Sequence, residues 1–170
     1  MLLCFYIVSS CTNEYTLSSV EKNLNLVSPN GIKIANSIED LRAHTAKVII
    51  DITGAAAEFS ISEIVYMPVK VGYSANVKFI ANQGQVGNYI LHYGSEYQLK
   101  SNSIVSMDKS GKISTLQGGG AISPLQVQQT MTCLRLGDCP CLIQVVITSN
   151  GTCAYGCGDC EQCSMSIVTN

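Results

Sequence analysis

The sequence predicts an α+β fold: one N-terminal helix on an antiparallel β-meander, followed by a small cysteine-rich β-hairpin module. Three observations predict it. Between residues 37 and 52 apolar residues recur at three- and four-residue steps, the spacing of a helix with one buried face. From Phe59 onward the period changes to two, as in half-buried strands. Seven of the nine cysteines then fall in the last 38 residues: Cys133, Cys139, Cys141, Cys153, Cys157, Cys160 and Cys163.

A turn at Asn30-Gly31 follows the short apolar segment Leu24 to Val27. Ser37 then offers a hydroxyl cap, with an acid, Asp40, three residues on. Ile38, Leu41, Thr45, Val48, Ile49 and Ile52 make the buried stripe, and Gly54 closes the helix. In the first strand Ile61, Glu63 and Val65 share one face and Ser62, Ile64 and Tyr66 the other, until Pro68 ends it. Residues 75 to 80 form a second strand. Asn82-Gln83-Gly84-Gln85 turns the chain with Gly84 at a positive-φ position, and Val86 to Tyr93 returns. Tyr97 to Leu99, Ile104 to Met107 and Ile113 to Leu116 are three more short strands, the last two joined by Asp108-Lys109-Ser110-Gly111. A helix before a meander covers one sheet face; the other must be polar, packed on the tail, or used for binding.

Gly118-Gly119-Gly120 marks a flexible linker. Beyond it, only Arg135, Asp138, Asp159 and Glu161 are charged. Leu142 to Thr148 is a strong β run, and Ser149-Asn150-Gly151 turns it back toward Cys153 and Tyr155. The expected organisation is therefore residues 1–10, 11–22, 23–117, 118–124 and 125–170: a leader, a polar tether, the α+β body, the linker and the hairpin module.

The body is large enough to fold without staples, since a chain of 170 residues buries roughly 70% of its unfolded surface. Only 13% of the residues are charged, and the net charge of −2 leaves no basic footprint for nucleic acid. No apolar run approaches the roughly 20 residues needed to span a bilayer. The N-terminus reads differently: Leu2 to Val8 is apolar and Ser9, Ser10 and Cys11 follow. Small residues after an apolar segment suit an export peptidase. Val8-Ser9-Ser10-Cys11 resembles the lipobox of bacterial lipoproteins. That resemblance covers the first dozen residues. It implies a signal peptide over 1–10, cleavage before Cys11, and diacylglycerol on its sulfur. Acylation of the new N-terminus follows, and two or more chains anchor stably. Thr12, rather than Asp, follows Cys11, which implies outer-membrane delivery. No Lys or Arg precedes the apolar run, which a start site further upstream would explain.

The cysteines admit three fates. In an oxidising envelope, a 50-residue segment with little core is the kind of unit that disulfides stabilise. A bridge from Cys139 or Cys141 to Cys153 or Cys157 would clip the hairpin's ends and contribute about 2–4 kcal/mol. Cys157-Gly158-Asp159-Cys160 and Cys160-Glu161-Gln162-Cys163 have the gap that lets two thiolates meet one ion, so Cys141, Cys157, Cys160 and Cys163 make an alternative zinc set. The three-then-two spacing of Cys153, Cys157 and Cys160 resembles that of radical enzymes that bind an iron–sulfur cluster and S-adenosylmethionine, in spacing alone. Thiol exchange at Cys157 and Cys160 would need a helix N-terminus to lower the thiol pKa, and Asp159 and Glu161 act against it. Bridges are the reading the pattern favours, with no cofactor.

His44 and His92 lack spaced partners for a metal or a nucleophile, and read as ordinary packed histidines. Tyr66, Tyr73, Tyr89, Tyr93 and Tyr97 crowd the meander, as sheet packing or as a face for peptide or glycan. Asn150-Gly151-Thr152 is read as a turn. The expected protein is thus an envelope lipoprotein with a non-catalytic binding or structural role, held to the membrane by a lipid anchor, with protein or glycan as the ligand classes open to it. The alternative is an envelope metal-binding or thiol-redox protein acting through Cys139 to Cys163.

Overall fold

Residues 16–67, 69, 71–94, 104–107, 113–117, 128–135, 141–147, 153–158 and 163–169 are described by a computed structural model. The helix α1 spans Ile38–Thr53. Ser37 caps it, its hydroxyl accepting from the Asp40 amide at 3.1 Å, and Gly54 ends it in the left-handed conformation at φ 76°. Leu41, Thr45, Val48 and Ile49 are buried, as the periodicity requires.

Among the described residues nine strands follow: β1 (Phe59–Met67), β2 (Tyr73–Ala81), β3 (Gln85–Tyr93), β4 (Ile104–Met107), β5 (Ile113–Gln117), β6 (Gln129–Arg135), β7 (Leu142–Ile147), β8 (Cys153–Gly158) and β9 (Cys163–Thr169). Seven form one antiparallel sheet in the order β1-β2-β3-β6-β9-β4-β5, and β7 and β8 pair separately. The fold is therefore α+β. The turn between β2 and β3 has Gly84 at φ 92°, as expected. The strand expected at Tyr97 to Leu99, the turns at Asp108 to Gly111 and Ser149 to Gly151, and the linker at 118–124 lie outside the described residues.

Three strands depart from the sequence reading. Residues 129–135 and 163–169, expected within the hairpin module, are β6 and β9, and β6 pairs with β3 (Ile90↔Met131, His92↔Gln129). The cysteine-rich segment therefore contributes to the same sheet as the meander. In β1, the register shifts between Ile61↔Phe79 and Glu63↔Lys78, leaving Ser62 as an extra residue. The bulge reverses the alternation, so Ile61 and then Ile64 and Tyr66 pack on the helix side, with Glu63 and Val65 exposed.

The sheet is apolar on both faces. Under α1, Leu41, Val48, Ile49, Ile61, Val77, Phe79, Tyr89 and Leu91 form one core. Thr45 and Tyr89 join the layers by a hydroxyl–hydroxyl bond of 2.8 Å. Because the Thr45 proton goes to the Leu41 carbonyl, Tyr89 donates in that pair. On the far face Met67, Ile90, Met131, Cys133, Met165 and Ile167 pack against Ile143 and Tyr155 of the β7–β8 hairpin. The sheet's second face is packed on the tail.

The N-terminal segment is tied in by one carboxylate. Ser18 and Glu21 form a reciprocal capping box on the 3-10 turn Glu21–Asn23: the Ser18 amide reaches Glu21 Oε2 at 3.0 Å, and the Glu21 amide reaches Ser18 Oγ at 3.1 Å. Glu21 Oε1 accepts from the Arg42 guanidinium of α1 and from the Ile61 amide of β1. Arg42 in turn lies 4.7 Å from the Phe59 ring centroid. Burial acts to raise the Glu21 pKa, but the Ser18 and Ile61 amides, with Ser18's side chain and Arg42, hold it below the usual range. Residues 18–22, expected within a polar tether, are thus part of the fold.

Glu21 is 2% exposed, and its loss takes the acceptor from the Ile61 amide and the carboxylate from Arg42, which keeps the Phe59 carbonyl. Glu21→Ala is predicted to cost about 3 kcal/mol in urea unfolding. A midpoint equal to wild type would show that the tie contributes nothing.

Candidate functional site

Two regions concentrate the chemistry: the interface beneath the hairpin, and a cleft beside the start of α1.

Alternation along β7 and β8 turns Ile143, Val145, Tyr155 and Cys157 toward the sheet. Among the described residues three ties between hairpin and sheet stand out, each to a different strand. Cys157 is bridged to Cys133 of β6, with 5.6 Å between their Cα atoms. The Asn88 side chain of β3 makes two bonds of 2.9 Å to Ile143, Nδ2 donating to its carbonyl and Oδ1 accepting from its amide. Tyr155 and Ser74 of β2 share a buried hydroxyl–hydroxyl bond. The Asn88 amide thus imitates a neighbouring strand, satisfying both backbone groups of a buried residue.

The cysteines divide accordingly. Cys133 and Cys157 are paired, and Cys141 is disulfide-bonded as well. The bridge from Cys157 runs to the sheet, whereas the sequence suggested a clip across the hairpin's own ends. Cys153 opens β8 and Cys163 opens β9; Cys11, Cys139 and Cys160 lie outside the described residues. A sulfur held in a bridge is not a thiolate ligand, so the alternative zinc set loses Cys141 and Cys157 in this state. Cys157 also lies in a strand, away from the helix N-terminus that activates an exchange motif.

His92 lies in the same interface, 1% exposed and edge-on to Tyr155 with ring centroids 6.4 Å apart. Burial pushes its pKa down to about 4.

The cleft, of about 700 Å³, opens at the end of the sheet beside the first turns of α1. Lys33, Asp40, His44, Tyr73, Tyr93 and Gln128 line it. Asp40 and His44 stand one helical turn apart on α1. Tyr73 opens β2 and Tyr93 closes β3, directly opposite each other, with rings stacked at 5.8 Å. The Gln128 amide nitrogen reaches the Tyr73 hydroxyl at 2.7 Å and the Ile34 carbonyl at 3.2 Å. Burial raises the Tyr73 pKa, opposed by the bond from Gln128. Thr130 of β6 meets His44 Nε2 at 3.0 Å, and burial lowers the His44 pKa, aided by Lys47. Beside its aliphatic residues the lining offers donors, acceptors and aromatic rings.

Of the tyrosines noted in the sequence, Tyr73 and Tyr93 meet in this wall, while Tyr89 is buried under α1 and Tyr66 bonds the Asn25 carbonyl. Asn88, Ser74 and Tyr155 were not anticipated. A signal existed: Tyr89-Ile90-Leu91 is a continuous apolar run, which belongs to a strand covered on both faces. No family model, no curated protein and no solved structure matches the chain.

Cutting the Cys133–Cys157 tie frees a loop of 24-residue separation. Cys157→Ser is therefore predicted to cost about 3 kcal/mol, read as a fall in thermal midpoint of roughly 6–12 °C. An unchanged midpoint would show the bridge to be dispensable. His92 predicts the acid response: with a native pKa of about 4 against 6.5 unfolded, its contribution is complete above pH 6.5 and lost as pH falls toward 4. Between pH 7 and 4 the wild type should lose about 3 kcal/mol more than His92→Gln in urea unfolding. Equal acid sensitivity of the two proteins would overturn the assignment.

Proposed function

We propose that this chain is a bacterial cell-envelope lipoprotein, anchored in the outer membrane through acylated Cys11, whose folded body binds a ligand without chemistry. The observation that carries the proposal is the buried bridge between Cys133 and Cys157 inside the second core. Such bridges form and persist in oxidising compartments, and Val8-Ser9-Ser10-Cys11 supplies the route to one. Among the described residues no helix is long and apolar enough to cross a membrane, so attachment in this reading rests on the lipid.

The cleft supports the binding role. Its size lies in the range of roughly 300–1,000 Å³ usual for small-ligand sites, and its side chains come from α1, β2, β3 and the approach to β6. His44, the one imidazole in its lining, is engaged by the Thr130 hydroxyl.

Cys11→Ala should move the protein from the membrane fraction to the soluble fraction of a bacterial host. Unchanged membrane fractionation would overturn the anchor. Turnover by the wild type in an insulin-reduction assay would overturn the non-catalytic role in favour of thiol exchange.

A further inference from the structure

The cleft's chemistry narrows its ligand, on the reading that the cleft is the binding site. Among the described residues its lining has two charged side chains, Lys33 and Asp40, opposite in sign, exposed, and without ion-pair partners there. An anion would meet the Asp40 carboxylate and a cation the Lys33 ammonium, and either would lose against one of them. A ligand of zero net charge loses against neither.

The rest of the lining extends the polar array beyond those charges. Gln128 spends its amide nitrogen on Tyr73 and Ile34, leaving its carbonyl oxygen without a hydrogen-bond partner among the described residues. Lys33 donates, while Asp40 and the Gln128 carbonyl accept. Tyr73 and Tyr93 add stacked aromatic surface between them. A ligand that suits this lining carries groups that both donate and accept, around an apolar ring face. Hydroxyls on a pyranose ring have that character, each with one donor and two lone pairs.

We infer that the cleft holds a neutral saccharide, its hydroxyls bonded by Lys33, Asp40 and Gln128 and its ring against the Tyr73–Tyr93 wall. Asp40 contributes the charge-assisted bonds to hydroxyls, which are the stronger kind. Lys33 and Asp40 are exposed, so replacing them leaves the core intact.

The test titrates the full chain with cellobiose, maltose, lactose, mannobiose and N,N′-diacetylchitobiose, following amide shifts by NMR, with glycylglycine and digalacturonate as zwitterionic and anionic comparators. Saturable shifts centred on Lys33, Asp40 and Tyr93 with a neutral disaccharide are expected, weakened roughly tenfold in Asp40→Asn. Shifts at those residues with glycylglycine or digalacturonate, but with no neutral disaccharide, would overturn the saccharide and leave the cleft as a binding site. No shift at those residues with any probe would overturn the saccharide and the cleft together. Disaccharide binding that Asp40→Asn leaves unchanged would overturn the assigned contacts.

Discussion

A sheet that is apolar on both faces must be covered twice, and this chain contains one helix of useful length among its described residues. That constraint organises the molecule. The amphipathic stripe of α1 has side chains enough to cover one face by packing alone, with Thr45 and Tyr89 as its polar contact. The second cover is a two-stranded hairpin, and two strands on their own are marginal in water. The hairpin therefore shares its core with the sheet, through Ile143 and Tyr155, and is fastened by Cys157, Tyr155 and the backbone of Ile143. Where apolar area is limited, directional bonds and a covalent link complete the cover.

The three fastenings are chemically distinct, and they constrain different things. The bridge restricts the unfolded chain more than it strengthens the folded one. The Asn88 bonds select a register, because only a residue placed as Ile143 is presents both an amide and a carbonyl to one side chain. The Tyr155–Ser74 contact places a buried polar bond between hairpin and sheet beside His92. Glu21 does comparable work, joining the N-terminal turn, α1 and β1 at one carboxylate.

Local features were legible in the sequence. Ser37 and Gly54 bound the helix as their chemistry dictates, Gly84 turns the first hairpin, and the runs at 59–67, 73–81, 85–93 and 142–147 are strands. What was not legible depends on partners distant in the chain. The Ser62 bulge is decided by β2, so period-two counting placed Glu63 beside Ile61. The strands β6 and β9 alternate Met131 and Cys133 with threonines, and Met165 and Ile167 with serines, a weak pattern that the neighbouring cysteines overshadowed. Nor does cysteine spacing choose a partner: Cys157 lies near Cys153 and Cys160 in sequence, yet its sulfur meets Cys133 from the sheet. The cleft draws its lining from residues 32 to 128, and no short window of sequence contains it.

The strand order carries a further consequence, which concerns time. The last strand, β9, lies between β6 and β4, pairing Met131↔Ile167 on one side and Val105↔Met165 on the other. The β4–β5 pair, made some sixty residues earlier, is joined to the rest of the sheet through that strand. A polypeptide that emerges N-terminus first thus keeps one hairpin waiting until residues 163–169 arrive. The sheet closes from the middle, on a strand synthesised after the eight that precede it. Long-range pairings of this kind are slow to form and leave strand edges open meanwhile. For such a chain, protection during synthesis and transport matters until β9 is free to pair.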